Sequence, residues 1–285
     1  AGFALEDMFI KRLAEALPVG QIVIFLGFGG ALIFGAITMG QGRRLWSRDL
    51  LSRPVLLRNF GEIVGTLGFV TAIALTPLSS ASAILQATPL AVTLGAALFL
   101  GEAVGWRRWS AILVGFMGVL MVIRPGLEGF EPASLFAVQG VIGLAIRDLA
   151  TRAVPRSISS MQLSTYAFAT LVPTGLILLA FSGAPALPSG INWRDLVLAL
   201  LCGVAAYYAI VAAMRLGDVA VITPFRYSRL IFALIIGVTL FDERPDIWTL
   251  TGAAIIIASG IYTFWRERRL ARRSPTPSAP VSPRG

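Results

Sequence analysis

Two acid–base pairs in this chain share one spacing. In "AGFALEDMFIKRLAEALP" Asp7 precedes Lys11 by four residues, and in "IGLAIRDLATRAVPRSISSMQ" Asp148 precedes Arg152 by the same step. At that spacing both members of a pair stand on one helix face. Each acid then neutralises its base near a membrane end, a contact of about 0.3 kcal/mol when exposed and more when desolvated. Lys11 and Arg152 lie towards helix ends, where their heads can reach water. The other reading makes the acids a substrate or proton-coupling site, because an ionisable group inside an apolar span is costly and commonly faces a cavity. Enzyme chemistry has little to work with. The chain has no His and one cysteine, Cys202, which removes the commonest general base, any disulfide within the chain and a cysteine metal cluster. It reads as no enzyme, with no cofactor and no metal.

The elements that must position these acids are membrane helices. Of 285 residues, 56% are hydrophobic and 14% charged, and the mean hydropathy is +0.79, too apolar for an ordinary soluble domain. A span needs about 20 mostly apolar residues. Spans are predicted at residues 19–39, 60–76, 80–100, 106–123, 133–153, 159–181, 193–216, 219–240 and 248–265. The segment before Pro18 makes a tenth helix, too short to span, so the sequence is read as starting inside its first helix; a cleaved signal peptide is the weaker alternative, since no basic region precedes it. Short connections such as "TPLSS" and "LGD" make consecutive helices antiparallel neighbours. The tail at 267–285 is basic, then rich in Pro and Ser, and reads as disordered.

Arginines set the orientation. Arg43, Arg44, Arg48, Arg53 and Arg58 fall between helices two and three, Arg107 and Arg108 between four and five, Arg152 and Arg156 between six and seven, and a further cluster follows helix ten. All these segments face one side, while "RPGLEGFEP", "SGAPALPSGINWRD" and "FDERPD" on the other carry few Arg and six of the 15 acids. The excess of basic residues in cytoplasmic loops places both termini in the cytoplasm of a bacterial inner membrane. The net charge of +9 is therefore topological, and nucleic acid is not the expected partner; lipid and a small-molecule substrate are. All six Trp lie at predicted helix ends, as interfacial rings should.

The sequence also repeats. Laying "AGFALEDMFIKRLAEALPVGQ" over "IGLAIRDLATRAVPRSISSMQ" pairs Gly2 with Gly143, Ala4 with Ala145, Asp7 with Asp148 and Gln21 with Gln162, an offset of 141. The same offset carries Ala72 onto Ala213, Leu75 onto Leu216 and Glu102 onto Glu243. One fixed offset along both halves argues for duplication. Five helices per half is an odd number, so the halves must cross the membrane in opposite senses, related by a pseudo-two-fold axis in its plane. The fold expected is an all-α polytopic membrane protein of ten helices in two inverted repeats, 1–127 and 128–266.

"ASAILQATPLAVTLGAALFLGE" followed by "AILVGFMGVLMVIRPG", and "TPFRYSRLIFALIIGVTLFDERPDIWTLTGAAIIIASGIYTFWRE" in the second half, resemble the drug/metabolite transporter superfamily, in its EamA-like branch. The resemblance spans nearly the whole chain. It implies a transporter whose helices one to four and six to nine surround a central cavity, with five and ten outside. Within the family the chain looks most like bacterial amino-acid exporters of the YddG kind. Position 230, which answers Pro89, is Leu, while a Pro stands at 224, so the second half's helix break is displaced.

Several residues then become candidates. Pro89 and Pro224 lie inside apolar spans and are read as helix breaks or packing kinks. The offset sets Gln86 opposite Tyr227, each three residues from its proline, and these two are the best candidates for the cavity wall, with Arg229 reaching a substrate carboxylate. Arg226 is a second candidate for that contact, against pairing or snorkelling. Of the adjacent Tyr207 and Tyr208, about 100° apart on a helix, at most one lines a cavity, and Tyr207 is chosen. Glu62 has Arg58 one turn before it and is expected in a local ion pair; Glu102 and Glu243 read as solvated or capping; Gly61 and Gly65 form a close-packing face. The function expected is an inner-membrane secondary transporter exporting aromatic or other apolar amino acids, or related small metabolites. Another cargo class (nucleoside, vitamin or drug) or a passive channel is the alternative.

Overall fold

The computed structural model describes residues 2–102, 105–155, 157–216 and 226–271. The described residues are helical, in eleven α-helices: α1 (Gly2–Ala14), α2 (Val19–Gly40), α3 (Arg53–Leu75), α4 (Leu78–Leu85), α5 (Thr88–Phe99), α6 (Trp106–Ile123), α7 (Ser134–Arg152), α8 (Ser160–Ser182), α9 (Gly190–Leu216), α10 (Ser228–Leu240) and α11 (Ile247–Ala271). Eight segments are long and apolar enough to cross a membrane, with α4 and α5 counted as one; α1 and α10 are shorter.

Local chemistry accounts for the boundaries. Pro18 precedes α2, Pro54 and Pro89 stand in the first turns of α3 and α5, and Pro77 precedes α4, positions where a missing N–H costs nothing. A capping box opens α8: the Ser159 hydroxyl accepts from the Gln162 amide at 3.1 Å, and the Gln162 side chain accepts from the Ser159 amide at 2.8 Å. The third span starts at Arg53, seven residues earlier than hydropathy suggests, because its first turns carry the charged Arg53 and Arg58. The fourth span is divided: α4 ends at Leu85 and α5 begins at Thr88, with Gln86 and Ala87 between them. Pro224 and the start of the span predicted at 219 lie outside the described residues, as does the tail beyond 271.

Helix ends repeat at the sequence offset. Adding 141 carries Val19 to Ser160 and Trp106 to Ile247, both helix starts, and Phe99 to Leu240, both helix ends. The packing has the same pattern. α3 lies on α7 as α1 lies on α9, while α2 packs on α8, α4 on α10, and α6 on α11. Backbone-to-backbone contact makes the α3–α7 pair. A Cβ built on Gly61 would stand 2.6 Å from the Arg147 amide nitrogen and 2.7 Å from the Gly143 carbonyl oxygen, so small residues let these helices approach closely. The core runs through Ala4, Leu13, Ile22, Ile73, Ile84 and Leu230. Outward, α6 and α11 pack mainly on each other and against α4 and α5, and present bare Leu113, Met117 and Trp248, the apolar surface that lipid covers.

Candidate functional site

The close approach of α3 and α7 places charge inside the bundle. Arg58 and Glu62, one turn apart on α3, are 3% and 7% exposed. Glu62 takes Arg58 at 3.6 Å and Arg147 of α7 at 3.3 Å. The local pair read from sequence is present, and a second guanidinium joins it. Arg147 also holds Asp148 at 2.8 Å, whose other oxygen lies 4.0 Å from Arg226 beside the start of α10. From the far side Arg58 donates to the Tyr207 hydroxyl of α9 at 3.2 Å. The Tyr207 ring stands edge-on to Phe34 and Phe168 at 5.7 and 5.5 Å. Its neighbour Tyr208 is exposed.

A second charged pair joins α1 to α10. Asp7 accepts two hydrogen bonds from Arg229, 2.7 Å from Nη2 and 2.9 Å from Nε. The guanidinium also lies over the rings of Phe3 and Phe69, at 5.3 and 5.0 Å. This overturns the expected same-helix pairing. Asp7 does not hold Lys11, and Asp148 does not hold Arg152. A planar fork matches a carboxylate at two points, and burial strengthens it, whereas an i, i+4 pair on a helix surface is worth tenths of a kcal/mol. Arg229 and Arg226, read from sequence as seekers of a substrate carboxylate, face the protein's own acids Asp7 and Asp148 in this conformation.

The two displaced bases find partners at opposite ends of the bundle. Lys11 donates to the Thr76 and Ile73 carbonyls closing α3, at 2.6 and 3.3 Å, and lies 3.8 Å from Glu243. Glu243 in turn accepts from the Leu78 and Ser79 amides and the Ser79 hydroxyl at 2.5, 3.0 and 2.7 Å. It does cap, but caps α4 rather than its own segment, at the positive end of that helix dipole. Arg152 pairs with the exposed Glu102 at 2.8 Å. The offset of 141 carries Lys11·Glu243 and Arg152·Glu102 onto one another.

Gln86, between α4 and α5, is 8% exposed and donates from Nε2 to the Arg226 carbonyl at 3.1 Å. Tyr227, at the entry to α10, is 5% exposed, and its hydroxyl has no hydrogen-bond partner. It points at α11, where a Cβ on Gly260 would strike the ring tip. The geometry thus joins Gln86 to the backbone beside Tyr227 but aims the Tyr227 hydroxyl away from the charged cluster. A groove of about 870 Å³ lined by Met117, Leu120, Met121 and Trp248 lies between α6 and α11 and shares no residue with that cluster. Sequence reasoning passed over Arg147 and Glu6. The offset held a signal for both, since it lays Arg147 on Glu6 and Gly203 on Glu62.

A model of the EamA-like transporter family matches residues 1–124 and 132–265. Among similar proteins, an S-adenosylmethionine uptake transporter of Rickettsia felis is 25% identical over 270 residues, 94% of this chain and 90% of that one. A riboflavin transporter of Rhizobium johnstonii is 28% identical over 210 residues, 74% of this chain and 69% of that one. The pseudopaline exporter CntI of Pseudomonas aeruginosa is 27% identical over 271 residues, covering 91% and 90%.

Proposed function

Because the chain belongs to the EamA-like transporter family, we propose that it is an inner-membrane secondary carrier that exports amino acids with aromatic or other apolar side chains, or metabolites with an amino-acid end, by alternating access. The observation that carries this reading is the charged cluster where α1, α3, α7 and α10 meet. Four guanidinium groups, those of Arg58, Arg147, Arg226 and Arg229, lie there with the acids Asp7, Glu62 and Asp148. A carboxylate entering such a site is recognised by exchanging with a protein acid for one of these forks. Arg226 is the readiest to exchange, at 4.0 Å from Asp148 with its side chain 40% exposed. Gln86 and Tyr207 would face the remaining polar groups of the cargo, and the apolar rings around Tyr207 its side chain.

Alternating access follows from the repeat. Two halves, 1–127 and 128–266, related by an in-plane pseudo-two-fold, give two near-equivalent packings, one open to each side. The shared offset of helix ends and the paired contacts α3·α7 and α1·α9 support that plan, as do the two matched segments of the family model. The Arg-rich loops put both termini in the cytoplasm, with 267–285 as a basic tail.

The test is counterflow into liposomes containing the purified protein, with a panel of labelled phenylalanine, methionine, S-adenosylmethionine and riboflavin. Expected is saturable, trans-accelerated movement of compounds carrying an α-amino acid group. Movement of riboflavin alone would replace the cargo class, and flux without trans-acceleration would make the protein a channel.

A further inference from the structure

At the middle of α9, about 20 Å from either end of that helix, Gly203 faces an acid of α1. A Cβ at Gly203 would stand 2.6 Å from Cδ and 3.0 Å from Oε2 of Glu6. Glu6 is partly accessible, and among the described residues it makes no hydrogen bond and no ion pair. Its neighbour Asp7 is bound at two points by Arg229, so the α1 pair of acids has one bound and one free member.

The repeat shows what is unusual here. Position 6 answers 147 and position 203 answers 62 across the offset of 141. Where α3 meets α7, those positions hold Glu62 and Arg147 in an ion pair at 3.3 Å. Where α1 meets α9, an acid occupies the base's place and the acid's place is empty of side chain. One half has a structural salt bridge; the other has a carboxyl lying against Gly203 with no ion-pair partner among the described residues, its nearest fixed cation, Arg229, being bound at two points by Asp7. An unpaired carboxyl at mid-membrane depth is unstable as a permanent anion and takes up a mobile positive charge.

We propose that Glu6 is the exchangeable proton site of the carrier, with Gly203 reserving the space its carboxyl needs. This rests on the carrier reading above and supplies its driving ion. The charged and titratable groups around Glu6 fit a single mobile proton. On its own helix stand Asp7, held by Arg229, and Lys11, held at the α3 terminus and Glu243. From α10 comes Arg229 itself. α9 offers Cys202 and, a further two turns away, Asp195, paired with Arg12. α3 brings Arg58 and Glu62, already paired; α2 and α4 carry no titratable side chain.

The test needs no knowledge of the cargo. Dicyclohexylcarbodiimide adds to a protonated carboxylic acid in an apolar site: the acid proton passes to a carbodiimide nitrogen, the carboxyl oxygen bonds the central carbon, and rearrangement leaves a stable N-acylurea. The full chain in liposomes is treated at a series of pH values and the adduct mapped by peptide mass spectrometry. Expected is modification at Glu6 that falls at least about tenfold from the acid to the alkaline end of the series, with Asp7 and Glu62 unmodified. Gly203→Ala, which pushes the carboxyl aside, shifts that profile. No modification of Glu6 at low pH, or modification independent of pH, overturns the proposal. A transport arm uses counterflow of the same labelled panel: the wild-type rate depends on pH, and Glu6→Gln flattens the profile. Glu6→Gln with the wild-type profile overturns it as well. If no compound of the panel moves, the cargo reading fails while the labelling still decides on Glu6.

Discussion

Asp7 and Arg229, 222 residues apart in sequence, are joined at two points across α1 and α10, with oxygen–nitrogen distances of 2.7 and 2.9 Å. The Asp7 side chain is 3% exposed and that of Arg229 23%. Removing one partner of such a pair leaves a desolvated charge without compensation, at a cost of about 3 kcal/mol. Asp7→Asn is therefore expected to lower the unfolding midpoint in detergent, and Arg229→Gln to do the same. The double variant should lose less than the sum, because the strandedness of the second charge is removed with the first. Strict additivity in that cycle would show that the two side chains are not coupled.

Gly61 of α3 sets the register of the site. Its missing Cβ is what allows the Arg147 amide and the Gly143 carbonyl to lie against the helix, and both obstacles are backbone that cannot rotate away. Gly61→Ala should separate α3 from α7 and destabilise by about 1 to 3 kcal/mol, as overpacking does. It should also loosen the Glu62–Arg147 contact. An unchanged unfolding midpoint would show that the helices can part without loss.

The apolar periods of the chain were legible because membrane spans are long and compositionally plain; α6 begins and ends where hydropathy places it, and α8 runs one residue later at each end than the span read at 159–181. The ion pairs were not. Spacing within one helix sees only the neighbours at three and four residues, so Asp7 was given Lys11, when the fork of Arg229 arrives from a helix more than two hundred residues away. Tyr227 shows the same limit, since its rotation about α10 depends on where Gly260 makes room. The repeat was the better guide. Its offset links the Lys11·Glu243 and Arg152·Glu102 pairs, and it exposes Glu6 as an acid standing where Arg147 stands in the other half.

Outside the membrane, Asp246 caps α11 through the Thr249 amide at 2.9 Å and pairs with Arg124 at the end of α6. Burial pushes its carboxyl up, but hydrogen bonds from Thr249 and the Arg124 guanidinium outweigh that and hold it below its ordinary value. A carboxyl lowered in the folded state stabilises above its unfolded pKa, and that stabilisation is lost as pH falls through the folded value. Asp246→Asn keeps a capping oxygen but loses the charge paired with Arg124, which should cost about 0.5 kcal/mol at neutral pH, and the gap between variant and wild type should close in acid. A gap that stays constant into acid would separate the capping from the charge.

The arginine-rich connection between α2 and α3 is the strongest orientation signal. In a Cys202→Ala background, Ser47→Cys should resist an impermeant maleimide added to intact cells and react after permeabilisation. Labelling in intact cells would invert the topology and, with it, the side from which the cluster is loaded.

The break between α4 and α5 meets the backbone just before α10 at one hydrogen bond, Gln86 Nε2 to the Arg226 carbonyl. Gln86 closes the first piece of a span that α5 resumes one residue beyond Ala87. A change of access that moves α4 relative to α10 must stretch or break this bond, whereas one that moves the two as a unit keeps it. The bond is worth about 1 kcal/mol, roughly fivefold in an equilibrium between two access states. Gln86→Ala removes the donor, and Gln86→Glu replaces it with an acceptor facing an acceptor, so the second should act more strongly than the first. Both should change the maximal counterflow rate more than the half-saturating concentration, since the bond belongs to the moving parts. A larger effect on half-saturation would instead place Gln86 against the cargo, and cargo protection of a cysteine at position 86 against maleimide would separate the two roles. If both variants match wild type in rate and affinity, the contact between Gln86 and the Arg226 carbonyl is packing alone, and the movement must be sought in the α1–α9 and α3–α7 pairs.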